Sequence, residues 1–155
     1  MKQRKLEIIL NNLVETNGLG DKLGRNLIGG EVIELSGDLG SGKTTLVKSI
    51  VAGTGSEEHV SSPTFVVSKE YKSPNFTIHH YDLYRLDDEG LIANELSDHY
   101  IDDSSVTIIE WGANFIDVLP EKRIIISISP IDENSRRVEI IYPENLEYLM
   151  DGIVA

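Results

Sequence analysis

The chain has 155 residues, 40% of them hydrophobic, which suits one domain over 1–155 with a packed core and argues against disorder. It has no cysteine, which excludes a disulfide framework, a thiolate metal site and a cysteine nucleophile. A formal net charge of −12 repels phosphate backbones and argues against strong direct binding of nucleic acid unless a basic partner supplies the contact.

The basic start, Met1-Lys2-Gln3-Arg4-Lys5, has the charge of an export signal, but the apolar run from Leu6 to Leu10 is short, contains Glu7 and meets Asn11-Asn12. No stretch approaches membrane-spanning length, so a cytoplasmic protein with no membrane partner is expected. Residues 6–27 read as helical in parts. Ile8, Ile9, Leu13, Leu19, Leu23 and Leu27 mark apolar faces, and Thr16-Asn17-Gly18 reads as a break containing a possible cap. Gly29-Gly30 ends this helical region. Glu31 to Ser36 then alternates apolar and polar residues as a short strand does.

The next residues, Gly37-Asp38-Leu39-Gly40-Ser41-Gly42-Lys43-Thr44, follow the pattern Gly-x-x-x-x-Gly-Lys-Thr of a phosphate-binding loop. Its glycines allow a tight turn whose N–H groups point inward at phosphate oxygens. Lys43 can reach the β- and γ-phosphates, and the Thr44 hydroxyl can ligate Mg²⁺. A helix follows, with Leu46, Val47, Ile50 and Val51 on one face, so its positive N-terminal end also faces the phosphates. Strand, glycine loop and helix are the context the motif requires. The candidate nucleotide contacts are Asp38, Gly40, Ser41, Gly42, Lys43, Thr44 and Thr45.

Beyond the turn Gly53-Thr54-Gly55-Ser56, the alternation from Phe65 to Tyr71 reads as a strand, Ser73-Pro74-Asn75 as a hairpin turn, and Phe76 to Asp82 as the return strand. Leu86 to Tyr100 reads as helical with loops. Val106 to Ile109 is a short buried strand ending in Glu110, and Arg123 to Ser129 pairs with Arg137 to Tyr142 across a turn at Asp132-Glu133-Asn134-Ser135. Residues 143–151 suit a short helix. Early alternation of helices and strands followed by hairpins predicts an α/β fold, a mixed sheet with a parallel core and antiparallel additions, flanked by helices.

A phosphate loop needs a carboxylate near its metal, at the C-terminal end of a neighbouring strand. Asp82 and Glu110 both stand in such a place, and either can hold Mg²⁺ while the other orients the attacking water. Thr64, in Ser62-Pro63-Thr64, is either a γ-phosphate sensor or an ordinary turn residue. Arg85 either stabilises phosphate charge or pairs with Asp87, Asp88 or Glu89. Arg136 and Arg137 read as surface residues. His79 and His80 are adjacent in a strand and face opposite sides, and neither has the company of a metal ligand. Trp111 is either core or a gate beside the nucleotide.

Taken together, the phosphate loop with Thr45, Ser62-Pro63-Thr64-Phe65, His80-Tyr81-Asp82-Leu83-Tyr84-Arg85-Leu86, Ile109-Glu110-Trp111 and Leu119-Pro120 resemble the TsaE (YjeE) family over about residues 16–140. The resemblance implies a P-loop ATPase using ATP and Mg²⁺, required for threonylcarbamoyladenosine formation in tRNA and acting with a TsaB–TsaD heterodimer. It also implies that Lys43 and Thr44 serve phosphate and metal, Glu110 the metal, and Asp82 the water or the metal. Thr64 then belongs to a switch-like loop, Trp111 lies beside the site, and Thr16 aligns with a threonine near the nucleotide. Ser41 stands where alanine is usual, Leu91 to Leu96 lacks a glycine the family often shows, and Gly112 replaces a common proline. The alternative is a P-loop small-molecule kinase, which usually needs an arginine-bearing lid; residues 86–105 contain no Lys or Arg. Asn-Lys-x-Asp, the usual guanine reader, is absent, which favours adenine.

Overall fold

The computed structural model describes residues 2–38, 40–60, 68–83, 96, 98, 102–111 and 119–153. The elements are β1 (Gln3–Leu10), α1 (Leu13–Asn26), β2 (Val32–Ser36), α2 (Lys43–Gly53), β3 (Ser68–Lys72), β4 (Thr77–Asp82), β5 (Ser105–Glu110), β6 (Ile124–Pro130) and β7 (Arg136–Pro143), closed by a 3₁₀ helix, Glu144–Met150. The strands form one seven-stranded sheet in the order β1-β7-β6-β2-β5-β4-β3. Pairings β6-β2, β2-β5 and β5-β4 are parallel, and β1-β7, β7-β6 and β4-β3 are antiparallel. This is the predicted mixed sheet: a parallel core with hairpin additions at both edges.

Parallel strands are covered on both faces and lose the polar alternation of half-exposed strands. Every residue of β5 is buried, and so are Val32 to Leu35 of β2. On one face, Ile33, Leu35, Ile78, Val106, Ile108 and Ile126 join Leu23 of α1 and Leu46 and Ile50 of α2 in the main core. On the other, Val32, Tyr81, Leu83, Leu96, Ile109 and Leu119 form a smaller cluster. Glu34 faces this second side; its carboxylate accepts a hydrogen bond from Arg123 Nε at 2.8 Å, which pairs a charge that burial would otherwise make costly.

The N-terminal region departs from its sequence reading. Gln3–Leu10 is a strand, not part of a helix: Ile8 and Leu10 are buried while Lys5, Glu7 and Ile9 are exposed, a period of two. Helix α1 then runs through Thr16-Asn17-Gly18 without a break. Its cap lies earlier, at Asn12, whose side chain accepts from Glu15 N at 2.9 Å, while Glu15 Oε2 accepts from Asn11 N at 2.6 Å. The Ser73–Phe76 turn and both late hairpin strands stand where expected. Residues 65–67 of the expected strand and most of the expected helix over 86–100 lie outside the described residues.

Candidate functional site

Strand β2 is flanked on one side by β5 and on the other by β6, and the glycine loop leaves its C-terminal end. Crevices of open α/β sheets form outside such strand ends. Gly42 is the N-cap of α2, at φ 110°, a left-handed conformation that favours glycine, and no side chain caps the helix. The first N–H groups of α2 therefore stay available for an external acceptor, at the positive end of the helix. Ser41 is buried, its N–H donates to Asp38 O at 3.1 Å, and its Oγ has no partner among the described residues.

Parallel register places Asp82 opposite Glu110 at the C-terminal ends of β4 and β5. Both side chains line a cleft of ≈ 320 Å³ with Gly40, Gly42, Lys43, Thr44, Thr45, Trp111 and Arg136. Its size falls at the lower end for small-molecule sites. An adjoining cleft of ≈ 360 Å³ is lined by Asp38, Ser36, Glu34 and Trp111 among others. A smaller one beside the loop brings Thr16 of α1 together with Gly42, Thr45, Asn134 and Arg136. Hence Thr16, Asp38, Gly40, Gly42, Lys43, Thr44, Thr45, Asp82, Glu110 and Trp111 all gather around the loop. Thr64 and Arg85 lie outside the described residues.

Lys43 is 6% exposed. Its ammonium donates to the Gly37 carbonyl and lies 3.6 Å from the ring centroid of Trp111. Burial lowers its pKa below the ordinary lysine value, while the charges of Glu110, Asp82 and Asp38 oppose that shift. Trp111 sits at φ 61°, the non-glycine residue with positive φ among those described, a backbone state that recurs at functional sites. It is beside the site rather than in the core.

Two residues, Arg136 and His80, do more in the fold than their sequence context suggests. Arg136 is not a simple surface group. Its Nε donates to Ser41 O at 2.8 Å and its Nη1 to the Asp132, Glu133 and Ser135 carbonyls, so it buttresses the phosphate loop from the β6–β7 turn. The turn is itself held by the Asp132 carboxylate, which accepts from Asn134 N and Ser135 N. His80 is buried beneath the carboxylates, with Nε2 2.6 Å from Glu110 Oε2. The signal for it was present: His80 and Asp82 are two apart in one strand and share a face.

The donor set fits Mg²⁺ with a nucleotide. Among the described residues no three His, Cys, Asp or Glu side chains cluster as a metal cage. Mg²⁺ characteristically takes one or two carboxylates and completes its shell with phosphate oxygens and water. Two strand-end carboxylates that line one cleft with Thr44, beside a helix start that no side chain caps, meet that requirement.

The family model described as threonylcarbamoyl adenosine biosynthesis protein TsaE matches residues 10–138. A relative named tRNA threonylcarbamoyladenosine biosynthesis protein TsaE from Rickettsia felis is 36% identical over 96% of this chain and 86% of its own length. One of the same name from Haemophilus influenzae is 39% identical over 74% of this chain and 72% of its own. The crystal structure of YdiB from Bacillus subtilis superposes with a TM-score of 0.78 at 25% identity, covering 97% of this chain and 95% of that one.

Proposed function

This chain belongs to the TsaE family, and from that premise we propose that it is a Mg²⁺-dependent ATPase serving threonylcarbamoyladenosine modification of tRNA next to the anticodon. The observation that carries the reading is the convergence of Lys43, Thr44, Asp82 and Glu110 on one cleft beside the uncapped start of α2.

In this reading the β- and γ-phosphates settle against the N–H groups at the start of α2. Lys43 exchanges the Gly37 carbonyl and the Trp111 ring for phosphate oxygens. Thr44 and Glu110 would hold Mg²⁺, which when bound would neutralise charge on the phosphates. Asp82 orients a water in line with the γ-phosphorus and accepts its proton. The new P–O bond forms as the bond to the leaving ADP breaks, giving ADP and inorganic phosphate. Lys43 and the loop amides stabilise the charge that moves to the leaving oxygen.

Among the described residues Arg136 lines the cleft, but its Nε and Nη1 donate to backbone carbonyls and hold the loop, so it is not assigned to the γ-phosphate. An arginine finger contributes on the order of 10³–10⁵ in rate, so turnover by the isolated protein is slow and the complementing contact comes from the TsaB–TsaD heterodimer or from closure upon it. Direct contact with tRNA is left to those partners, because this chain carries a net charge of −12.

The test is steady-state ATP hydrolysis by the wild type, Lys43→Ala and Glu110→Ala across a Mg²⁺ titration. Each substitution should lower kcat/KM by at least about 10²-fold, the usual effect of deleting one charge-stabilising group. A Glu110→Ala protein with full activity and unchanged Mg²⁺ dependence would overturn the metal assignment. Transfer of the γ-phosphate to a small-molecule acceptor in preference to water would replace the ATPase reading with a kinase.

A further inference from the structure

Glu110 offers two carboxylate oxygens, and they have different surroundings. Oε2 lies 2.6 Å from His80 Nε2, and both residues are almost completely buried, at 3% and 1% exposure. Oε1 has no hydrogen bond among the described residues, and Glu110 lines the cleft that also holds Lys43, Thr44 and Asp82. A carboxylate only accepts, so the hydrogen of this contact sits on His80 Nε2. On the other side of the ring, the Tyr71 hydroxyl stands 3.4 Å from Nδ1, with the two ring centroids 6.0 Å apart. Tyr71 on β3, His80 on β4 and Glu110 on β5 therefore form a buried polar line running across three strands toward the cleft.

The neighbouring histidine shows that this is not a general property of the strand. His79 points to the opposite face, where its Nε2 meets Ser105 Oγ at 3.1 Å and its Nδ1 lies 3.6 Å from Glu70. Only His80 shares a face with Asp82 and Glu110. A charge-assisted hydrogen bond in a dry environment fixes the carboxylate rotamer and leaves one oxygen directed outward. Groups that orient a ligating side chain in this way usually contribute 10–100-fold to metal affinity.

The geometry points to His80 as a positioning residue: its Nε2–H pins Oε2 of Glu110 so that Oε1 is presented to the divalent cation that accompanies the nucleotide. The inference rests on the reading of Glu110 as a metal ligand, and it concerns orientation alone. His80 touches neither nucleotide nor cation.

The experiment compares wild type, His80→Phe and His80→Gln by calorimetry. ATP binding is measured without divalent metal, and Mn²⁺ binding to the nucleotide-loaded protein is measured separately. Wild-type protein whose Mn²⁺ affinity gains nothing over free ATP would sink the metal-site reading itself, independently of His80. Given that gain, His80→Phe should lose about 10–100-fold in Mn²⁺ affinity with metal-free ATP affinity within about twofold, and His80→Gln, whose amide can still donate, should recover most of the loss. Unchanged Mn²⁺ affinity in His80→Phe, or an equal loss of metal-free ATP affinity, overturns the proposal. Should His80→Phe not fold, ¹⁵N-edited spectra of the wild-type imidazole decide. A downfield His80 Nε2–H signal that moves when Mg²⁺ joins the nucleotide complex supports the role, and a signal that does not respond to Mg²⁺ overturns it.

Discussion

Burial takes the Lys43 ammonium out of water and gives it a carbonyl, an indole face and the nearby charges of Glu110, Asp82 and Asp38. Removing a charge from such a place need not destabilise a fold, because the desolvation penalty disappears with it. Lys43→Met is therefore expected to melt at or above the wild-type temperature without ligand, and to lose the upward shift that ATP and Mg²⁺ give the wild type. Ligand at 100 times Kd stabilises by about 2.7 kcal/mol, so the contrast is readable in a thermal melt. Trp111 is the single tryptophan, and its emission should change when Lys43 leaves its ring for phosphate, a change absent in Lys43→Met. Arg136 acts on the same loop through Ser41 O. Arg136→Ala removes a charged hydrogen bond to Ser41 O, a contact of about 1.5–3 kcal/mol, and should weaken nucleotide binding roughly 10–100-fold in an equilibrium titration. The Asp132 carboxylate that holds the same turn has a lowered pKa, chiefly because Ser135 N and Asn134 N donate to it. Its support is thus present above the ordinary carboxylate pKa and fades as pH falls through the lowered native value.

Helices α1 and α2 meet through glycines. A Cβ on Gly24 would lie 2.1 Å from Ile50 O, and one on Gly20 would lie 1.9 Å from Ser49 Oγ, whereas one on Gly18 would meet nothing within 4 Å. Gly18→Ala should stabilise the protein by about 0.5–1 kcal/mol through helix propensity alone. Gly24→Ala should destabilise it by about 1–3 kcal/mol despite the same gain, because backbone rather than a flexible side chain is in the way. Urea melts of the two variants, moving in opposite directions, check the helix contact. The same helix shows where the sequence was misleading. Gly18 after Thr16-Asn17 has the composition of a break, but tertiary packing of Leu19 and Leu23 outweighs a propensity cost of about 1 kcal/mol. Strand β1 was hidden because Ile8-Ile9 obscures a period of two, and its pairing partner, β7, starts at Arg136, far along the chain. By contrast, the glycine loop, the Ser73-Pro74-Asn75 turn and the strand-end acids carry local chemistry and were legible. His80 and Arg136 acquire their contacts only from strand register and hairpin placement, which a one-dimensional pattern does not record.

At the scale of the whole molecule, sheet order assembles the cleft. Segments as distant in sequence as Thr16, Lys43, Asp82, Glu110 and Arg136 converge because β2 lies between β5 and β6, and the β6–β7 turn folds back over the loop. Among the described residues no helix is long and apolar enough to cross a membrane. The net charge of −12 makes a prediction of its own: the isolated protein should not retard tRNA in a gel at physiological salt, and a basic partner should be needed before it does. In the proposed function, ATP turnover is controlled by the complex that the protein serves. The most direct measurement is ATP hydrolysis by the purified protein alone and then with a TsaB–TsaD heterodimer, with Lys43→Ala as the control. Slow hydrolysis alone, clear stimulation by the heterodimer and no activity in Lys43→Ala are the expected result. Hydrolysis that is equally fast with and without the heterodimer, or that survives Lys43→Ala, would rule out a partner-controlled ATPase.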